Sequence, residues 1–175
     1  GDIKNVTVSQ VCGKWFASIQ TVREAAIPTP SGDMIGIDVG IARFATLSDG
    51  SFYEPRNSFR TLESALRKAQ QAMSRKVKFS NNWKKAKAKV QRIHSKIGNS
   101  RRDYLHKTSN DISKNHAIVC IEDLQVKNMS KSAAGTAEQR GRNVRAKSGL
   151  NKAILDQGWF ELRRQLVYKL AWHVG

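Results

Sequence analysis

Apolar and polar positions alternate with two different periods along this chain. Val6, Val8 and Val11 lead into Cys12-Gly13-Lys14, and Trp15-Phe16-Ala17-Ser18-Ile19 follow. Residues 3–22 therefore predict a β-hairpin. Residues 24–33 contain Pro28, Pro30 and Gly32 and read as a linker. Met34 to Val39 is an apolar run that holds one acid, Asp38. A second apolar run from Ile41 ends at Asp49-Gly50 and reads as its hairpin partner. Ser51-Phe52-Tyr53 supplies a third strand. The period then changes. Leu62, Leu66, Ala69, Met73 and Val77 recur at helical spacing, and Ser80-Asn81-Asn82 marks a turn with a helix cap. Trp83, Ala86, Val90, Ile93 and Ile97 continue the helical spacing. It resumes after Gly98-Asn99 at Tyr104, Leu105, Thr108 and Ile112, as a second helix or as one long one.

Residues 117–122 return to a strand that delivers Glu122 at its end. Residues 127–150 are rich in Lys, Arg, Ser, Gly and Ala without periodicity, and read as a mobile basic loop. Leu155, Trp159, Leu162, Leu166 and Leu170 mark a final helix with Asp156 at its N-cap. Trp83 and Trp159 fall in apolar stripes and read as packing residues. Trp15 covers one face of the first hairpin. Cys120 reads as a small buried hydrophobe.

Charge changes the picture. The chain of 175 residues carries a net charge of +17 with 39% hydrophobic residues. Self-repulsion of this size calls for a polyanionic partner, nucleic acid before an anionic membrane surface. No run approaches the ~20 apolar residues of a membrane span, and no signal peptide is visible. Cys12 and Cys120 form no CxxC pair. These features predict a cytoplasmic, nucleic-acid-associated protein. The excess is concentrated: from Arg60 to Lys107 fifteen Lys and Arg stand against Glu63 and Asp103. Lys76, Lys78, Lys84, Lys85, Lys87, Lys89, Arg92, Arg101, Arg102 and Lys107 form a phosphate-tracking surface. His94, His106, His116 and His173 share no ligand spacing.

The element order is strand with Asp, two strands, basic helices, strand with Glu, helix. It predicts an RNase H-like α/β arrangement, in which a central sheet gathers carboxylates from different strands. Such carboxylates hold two divalent ions, one activating water and one stabilising the leaving oxygen. Hard oxygen ligands select Mg²⁺ or Mn²⁺. The competing readings are a non-catalytic nucleic-acid-binding module and a basic structural protein whose acids are ordinary strand-end residues.

Ile35-Gly36-Ile37-Asp38-Val39-Gly40 with Phe44-Ala45-Thr46 resembles the first RuvC motif of the TnpB (OrfB) proteins of insertion sequences, transposon-encoded relatives of type V CRISPR effectors. Ile121-Glu122-Asp123-Leu124 with Val126-Lys127-Asn128-Met129 is similar to their second RuvC motif. Asn99 to Lys107 resembles the basic helix before that motif. Trp159 to Leu166, with Tyr168-Lys169, resembles the helix after it. Residues 1–30 resemble the tail of the family's wedge barrel plus a linker. Residues 31–175 resemble the RuvC-like core, with residues 57–115 as its basic helical insertion. The resemblance implies an RNA-guided DNA endonuclease with guide RNA and target DNA as partners. It carries Asp38 and Glu122 over as catalytic metal ligands, with Lys127 and Asn128 as phosphate contacts. The family's zinc ribbon, its Zn²⁺ and its third acid are expected beyond this chain. The chain is thus expected to be a fragment, inactive or nearly so alone.

Overall fold

The computed structural model describes residues 1–22 and 32–173, and the expected linker lies almost wholly outside them. The architecture is mixed α/β, with no closed barrel among the described residues. Strands β1 (Asp2–Val11) and β2 (Lys14–Val22) form an antiparallel hairpin turned by Cys12-Gly13. Gly13 sits at φ 78°, where a residue without Cβ carries no steric penalty. Both strands are solvent-exposed on both faces, so Trp15 stands 70% exposed instead of covering the hairpin.

The main sheet has the order β5-β4-β3-β6, with β3 Met34–Val39, β4 Ala45–Leu47, β5 Phe52–Tyr53 and β6 Ile118–Ile121. Strands β3, β4 and β5 are antiparallel neighbours, whereas β6 lies parallel to β3. A parallel neighbour requires a long crossover. Two helices supply it: α1 (Ser58–Ser74) and α2 (Asn81–Asn115). Helix α1 ends before Val77, which is 80% exposed rather than part of the stripe. Ser80 caps α2 by accepting from the Trp83 amide at 3.2 Å. Gly98 does not break α2, which runs unbroken for 35 residues, about 52 Å.

Two apolar clusters follow. Ile35, Ile37, Val39, Phe44 and Leu47 of the sheet side pack on Leu105 and Ile112 of α2 and on Ile154, Trp159, Leu162 and Leu166. Leu66, Ala69, Val90 and Ile97 form a second cluster between α1 and α2. The C-terminal half of α2 therefore belongs to the sheet. Its N-terminal half projects with α1 as a helical hairpin.

The region expected to be a mobile basic loop carries structure. Helix α3 (Val126–Met129) opens it, and α4 (Val144–Gln157) occupies its end. Lys147 donates to the Met129 carbonyl, and Asn151 donates to the Ser130 and Lys131 carbonyls at 2.9 and 3.1 Å. These contacts over long sequence separations order a segment with no apolar period.

The expected final helix is divided. Leu155 and Asp156 close α4, Gly158 turns the chain at φ 79°, and α5 runs Trp159–His173. Asp156 caps a different helix, α1. Its carboxylate accepts from the Phe59 amide at 2.8 and 2.9 Å and from the Arg60 amide at 3.2 Å. Asn57, at the α1 N-cap itself, is left-handed and makes no side-chain cap. Between α2 and α5 lies a buried polar seam. Lys169 donates to the His106 carbonyl at 2.7 Å and to Ser109 Oγ at 2.9 Å, and Gln165 Oε1 accepts from Ser109. Burial pushes the Lys169 ammonium below its ordinary value.

Candidate metal centre and nucleic-acid interface

Side-chain alternation on β3 decides where Asp38 points. Ile35, Ile37 and Val39 are buried against the helices, so Gly36 and Asp38 take the other face. Asp38 is consequently exposed and not, as its apolar flanks imply, a desolvated acid in a buried strand. On β6, Val119 and Ile121 turn toward the helices while Ile118 and Cys120 are exposed. The parallel register pairs Gly36 with Cys120 and Ile37 with Ile121. Asp38 and Glu122 each follow that last pair by one residue, Glu122 lying just past the end of β6. Neighbouring strands lie about 4.8 Å apart. The two acids, separated by 83 intervening positions, thus come one after the end of β6 (Glu122) and one within β3 (Asp38). Both line the same open groove, with Thr46, Ser48 and Cys120.

The groove is fixed by short contacts. Thr46 pairs with Asp38 across β4. Ser48 Oγ accepts from the Gly36 amide at 3.0 Å, and the Ser48 amide donates to the Gly36 carbonyl at 2.9 Å. Cys120 is a free, exposed thiol in this groove, so its reading as a buried hydrophobe is corrected. The same two-residue period that exposes Ile118 exposes Cys120. Neither carboxylate has an ion-pair partner among the described residues. Two exposed carboxylates lining one groove have the hard-oxygen chemistry that suits a divalent cation. No group of three or more His, Cys, Asp or Glu side chains comes together among the described residues.

The neighbouring acids are engaged elsewhere. Asp123 pairs with Arg163 of α5, on the helix side of the sheet. Hydrogen bonding from the Ser51 side chain, and then from the Ser51 amide to Asp49 Oδ1 at 2.8 Å, holds the Asp49 carboxyl below its usual value. Lys127, on α3, and Arg163 line a second groove at the end of β6, which Glu122 also borders. Asn128 is exposed one position further along α3.

The basic residues divide into two groups. Lys84, Lys85, Lys87, Lys89 and Arg92 are exposed on the projecting half of α2, with Lys76 and Lys78 in the turn before it. Arg102 is exposed nearer the sheet. Arg101 serves the fold instead: its Nη1 donates to the Leu155 carbonyl at 2.7 Å. Lys107 pairs with Asp103 at 2.8 Å. Trp83 lies about 33 Å along α2 from Leu105, at 1.5 Å per residue. The lysines around Trp83 thus stand well away from the acid pair.

Fold and site define a mixed α/β protein that carries a carboxylate pair on its sheet and a basic helical hairpin. The family model OrfB_IS605, described as "Probable transposase", matches residues 18–133, and the chain belongs to this family. It is 62% identical over 176 residues to "Putative RNA-guided DNA endonuclease InsQ" of Escherichia coli (strain K12), covering 100% of this chain and 44% of that protein. A "Putative RNA-guided DNA endonuclease" of Streptomyces pristinaespiralis is 38% identical over 96% of this chain and 38% of its own length. "Putative RNA-guided DNA endonuclease Rv2885c" of Mycobacterium tuberculosis (strain ATCC 25618 / H37Rv) is 30% identical over 86% of this chain and 31% of its own length. The chain spans less than half the length of the curated relatives it matches. No helix among the described residues is long and apolar enough to cross a membrane.

Proposed function

We propose that this chain supplies two metal-binding acids and a nucleic-acid-binding hairpin to an RNA-guided DNA endonuclease with an RNase H-like, RuvC-type core. The observation that supports the reading is the parallel β3–β6 register, whose last pair precedes Asp38 and Glu122, together with the open groove that both residues line. In this reading residues 31–175 are the nuclease core, 57–115 its basic insertion and 1–30 the tail of a separate β-rich unit. Asp38 and Glu122 hold Mg²⁺ or Mn²⁺ through hard oxygens. A bound divalent ion would lower the pKa of an attacking water and stabilise charge on the phosphodiester. Family membership and the relatives' names support guide RNA and target DNA as the partners. Lys127 and Asn128, close to Glu122 in sequence, contact phosphates of the guide or the target strand.

Two carboxylates leave a two-ion site short of ligands, because Asp123 and Asp49 are engaged elsewhere. The chain by itself is therefore proposed to bind divalent cations weakly and to cut DNA barely or not at all. The test has two arms. Mn²⁺ titrated into the chain should broaden the backbone resonances of residues 36–39 and 120–123, and Asp38→Asn should abolish that broadening. In a protein of the relatives' full length carrying this segment, Asp38→Ala should abolish Mg²⁺-dependent DNA cleavage and spare RNA binding. Cleavage that survives Asp38→Ala places the catalytic site elsewhere.

A further inference from the structure

The turn between α1 and α2 puts a bulky residue where its backbone conformation favours Asn or Gly. Phe79 lies at φ 69°, in the left-handed region, where a bulky L-residue is disfavoured. Asn or Gly makes such a turn without that penalty. Phe79 nevertheless stands 66% exposed at the hairpin tip. Its ring meets Trp83 edge-on, with centroids 5.4 Å apart and planes at 63°. Lys78 Nζ lies 5.1 Å from the centre of the Phe79 ring, and Lys87 Nζ lies 5.2 Å from that of Trp83. Lys76 and Lys84 flank the pair in sequence, and no acid occurs between Glu63 and Asp103.

An exposed Phe79 against a half-buried Trp83 would by itself fit an apolar pocket on another protein. The acid-free lysine surround argues instead for a polyanion. Aromatic faces ringed by cations are the chemistry that holds unpaired nucleotides, with bases on the rings and phosphates on the ammonium groups. A strained residue at a solvent-exposed tip is also a recurrent mark of function. We infer that the Phe79–Trp83 tip is a stacking platform for an unpaired segment of nucleic acid, with Lys78, Lys84 and Lys87 holding the adjacent phosphates. This deepens the proposed nucleic-acid reading and rests on it. It adds that the tip distinguishes single strand from duplex, which a phosphate-tracking surface does not.

The test uses the purified chain, a fluorescein-labelled 12-nucleotide oligouridylate and a 12-base-pair DNA duplex, with anisotropy measured across a salt series. Phe79→Asn keeps a residue that tolerates the left-handed turn, so the melting temperature should hold or rise. Affinity for the oligouridylate should fall about tenfold, the scale of one lost base–aromatic stack. The slope of log affinity against log salt should not change, because no phosphate contact is removed. Duplex affinity should change less than twofold, and Phe79→Trp should restore single-strand binding. Unchanged oligouridylate affinity in Phe79→Asn overturns the inference. Equal losses on single strand and duplex overturn it as well. A parent chain that binds neither probe would also remove the basic-surface reading, so the two failures are distinguishable.

Discussion

Asp156 offers the sharpest test of how the basic hairpin is anchored. Its side chain is 6% exposed and accepts three hydrogen bonds from the first amides of α1. Those amides have no intrahelical acceptors, because the first turn of any helix leaves its donors unpaired. Asn57 does not cap them. Removing a capping side chain costs about 0.5–2 kcal/mol. Hydrogen bonds to a charged partner are worth about 1.5–3 kcal/mol. Asp156→Ala should therefore destabilise the chain by about 2–3 kcal/mol, some 4–12 °C for a protein of this size. Asp156→Asn keeps one acceptor oxygen and loses the charge, so it should cost about 1 kcal/mol. Urea unfolding followed by far-ultraviolet circular dichroism measures both. Amide exchange at Phe59 and Arg60 should rise most, ahead of the rest of α1. A loss below 0.5 kcal/mol in Asp156→Ala, or equal losses in the two variants, would refute the remote cap.

Gly158 sits at φ 79°, and a Cβ there would lie 3.1 Å from Leu105 Cδ1 and 3.3 Å from Arg101 Cδ. Gly158→Ala should lower stability by about 1–2 kcal/mol, read as a fall in melting temperature. Glu161 accepts a two-pronged hydrogen bond from Arg164, at 2.7 and 2.8 Å, which holds its pKa at about 2, below the ordinary 4.5. A depressed carboxyl stabilises the fold above its unfolded value, so stability should drop as pH falls from 4.5 toward 2. Glu161→Gln should flatten that acid limb in pH-dependent urea melts. Replacing Lys84, Lys85, Lys87 and Lys89 with Gln should flatten the salt dependence of nucleic-acid affinity, by roughly 0.7–0.9 per lost phosphate contact. An unchanged slope means that this face is only solvated.

The strands of the sheet were legible because they rest on a period of two. On β3 that alternation says which face Asp38 takes, opposite to Ile37 and Val39. The same parity makes Cys120 share the face of Ile118, so the sequence holds that signal too. What the sequence hides is set by distant partners. Asp156 looks like a cap for the helix that follows it, yet the amides it serves lie 97 positions earlier. Residues 127–150 lack a stripe because their order comes from side chains donating to carbonyls about twenty positions away. Arg101 looks like a phosphate ligand until Leu155 appears beside it. Short local patterns cannot carry that information.

The uneven use of acids connects stability to the proposed partner. Near the base of the hairpin nearly every acid has a task. Asp156 caps α1, Glu63 meets Lys152 at 2.8 Å, and Asp103 meets Lys107 at 2.8 Å. Asp111 accepts from the Tyr53 hydroxyl at 2.6 Å, tying α2 to the sheet. Toward the tip no acid is present to offset the lysines. The small α1–α2 core of Leu66, Ala69, Val90 and Ile97 must hold two basic helices together against their own repulsion. A polyanion that binds this face removes the repulsion without altering the base, so ligand binding and hairpin stability are linked. Salt acts on the same repulsion through screening. The outer half of the hairpin should therefore be its least protected part in low salt and should gain protection as nucleic acid is added. The base, fixed by neutralised acids, should respond little to either.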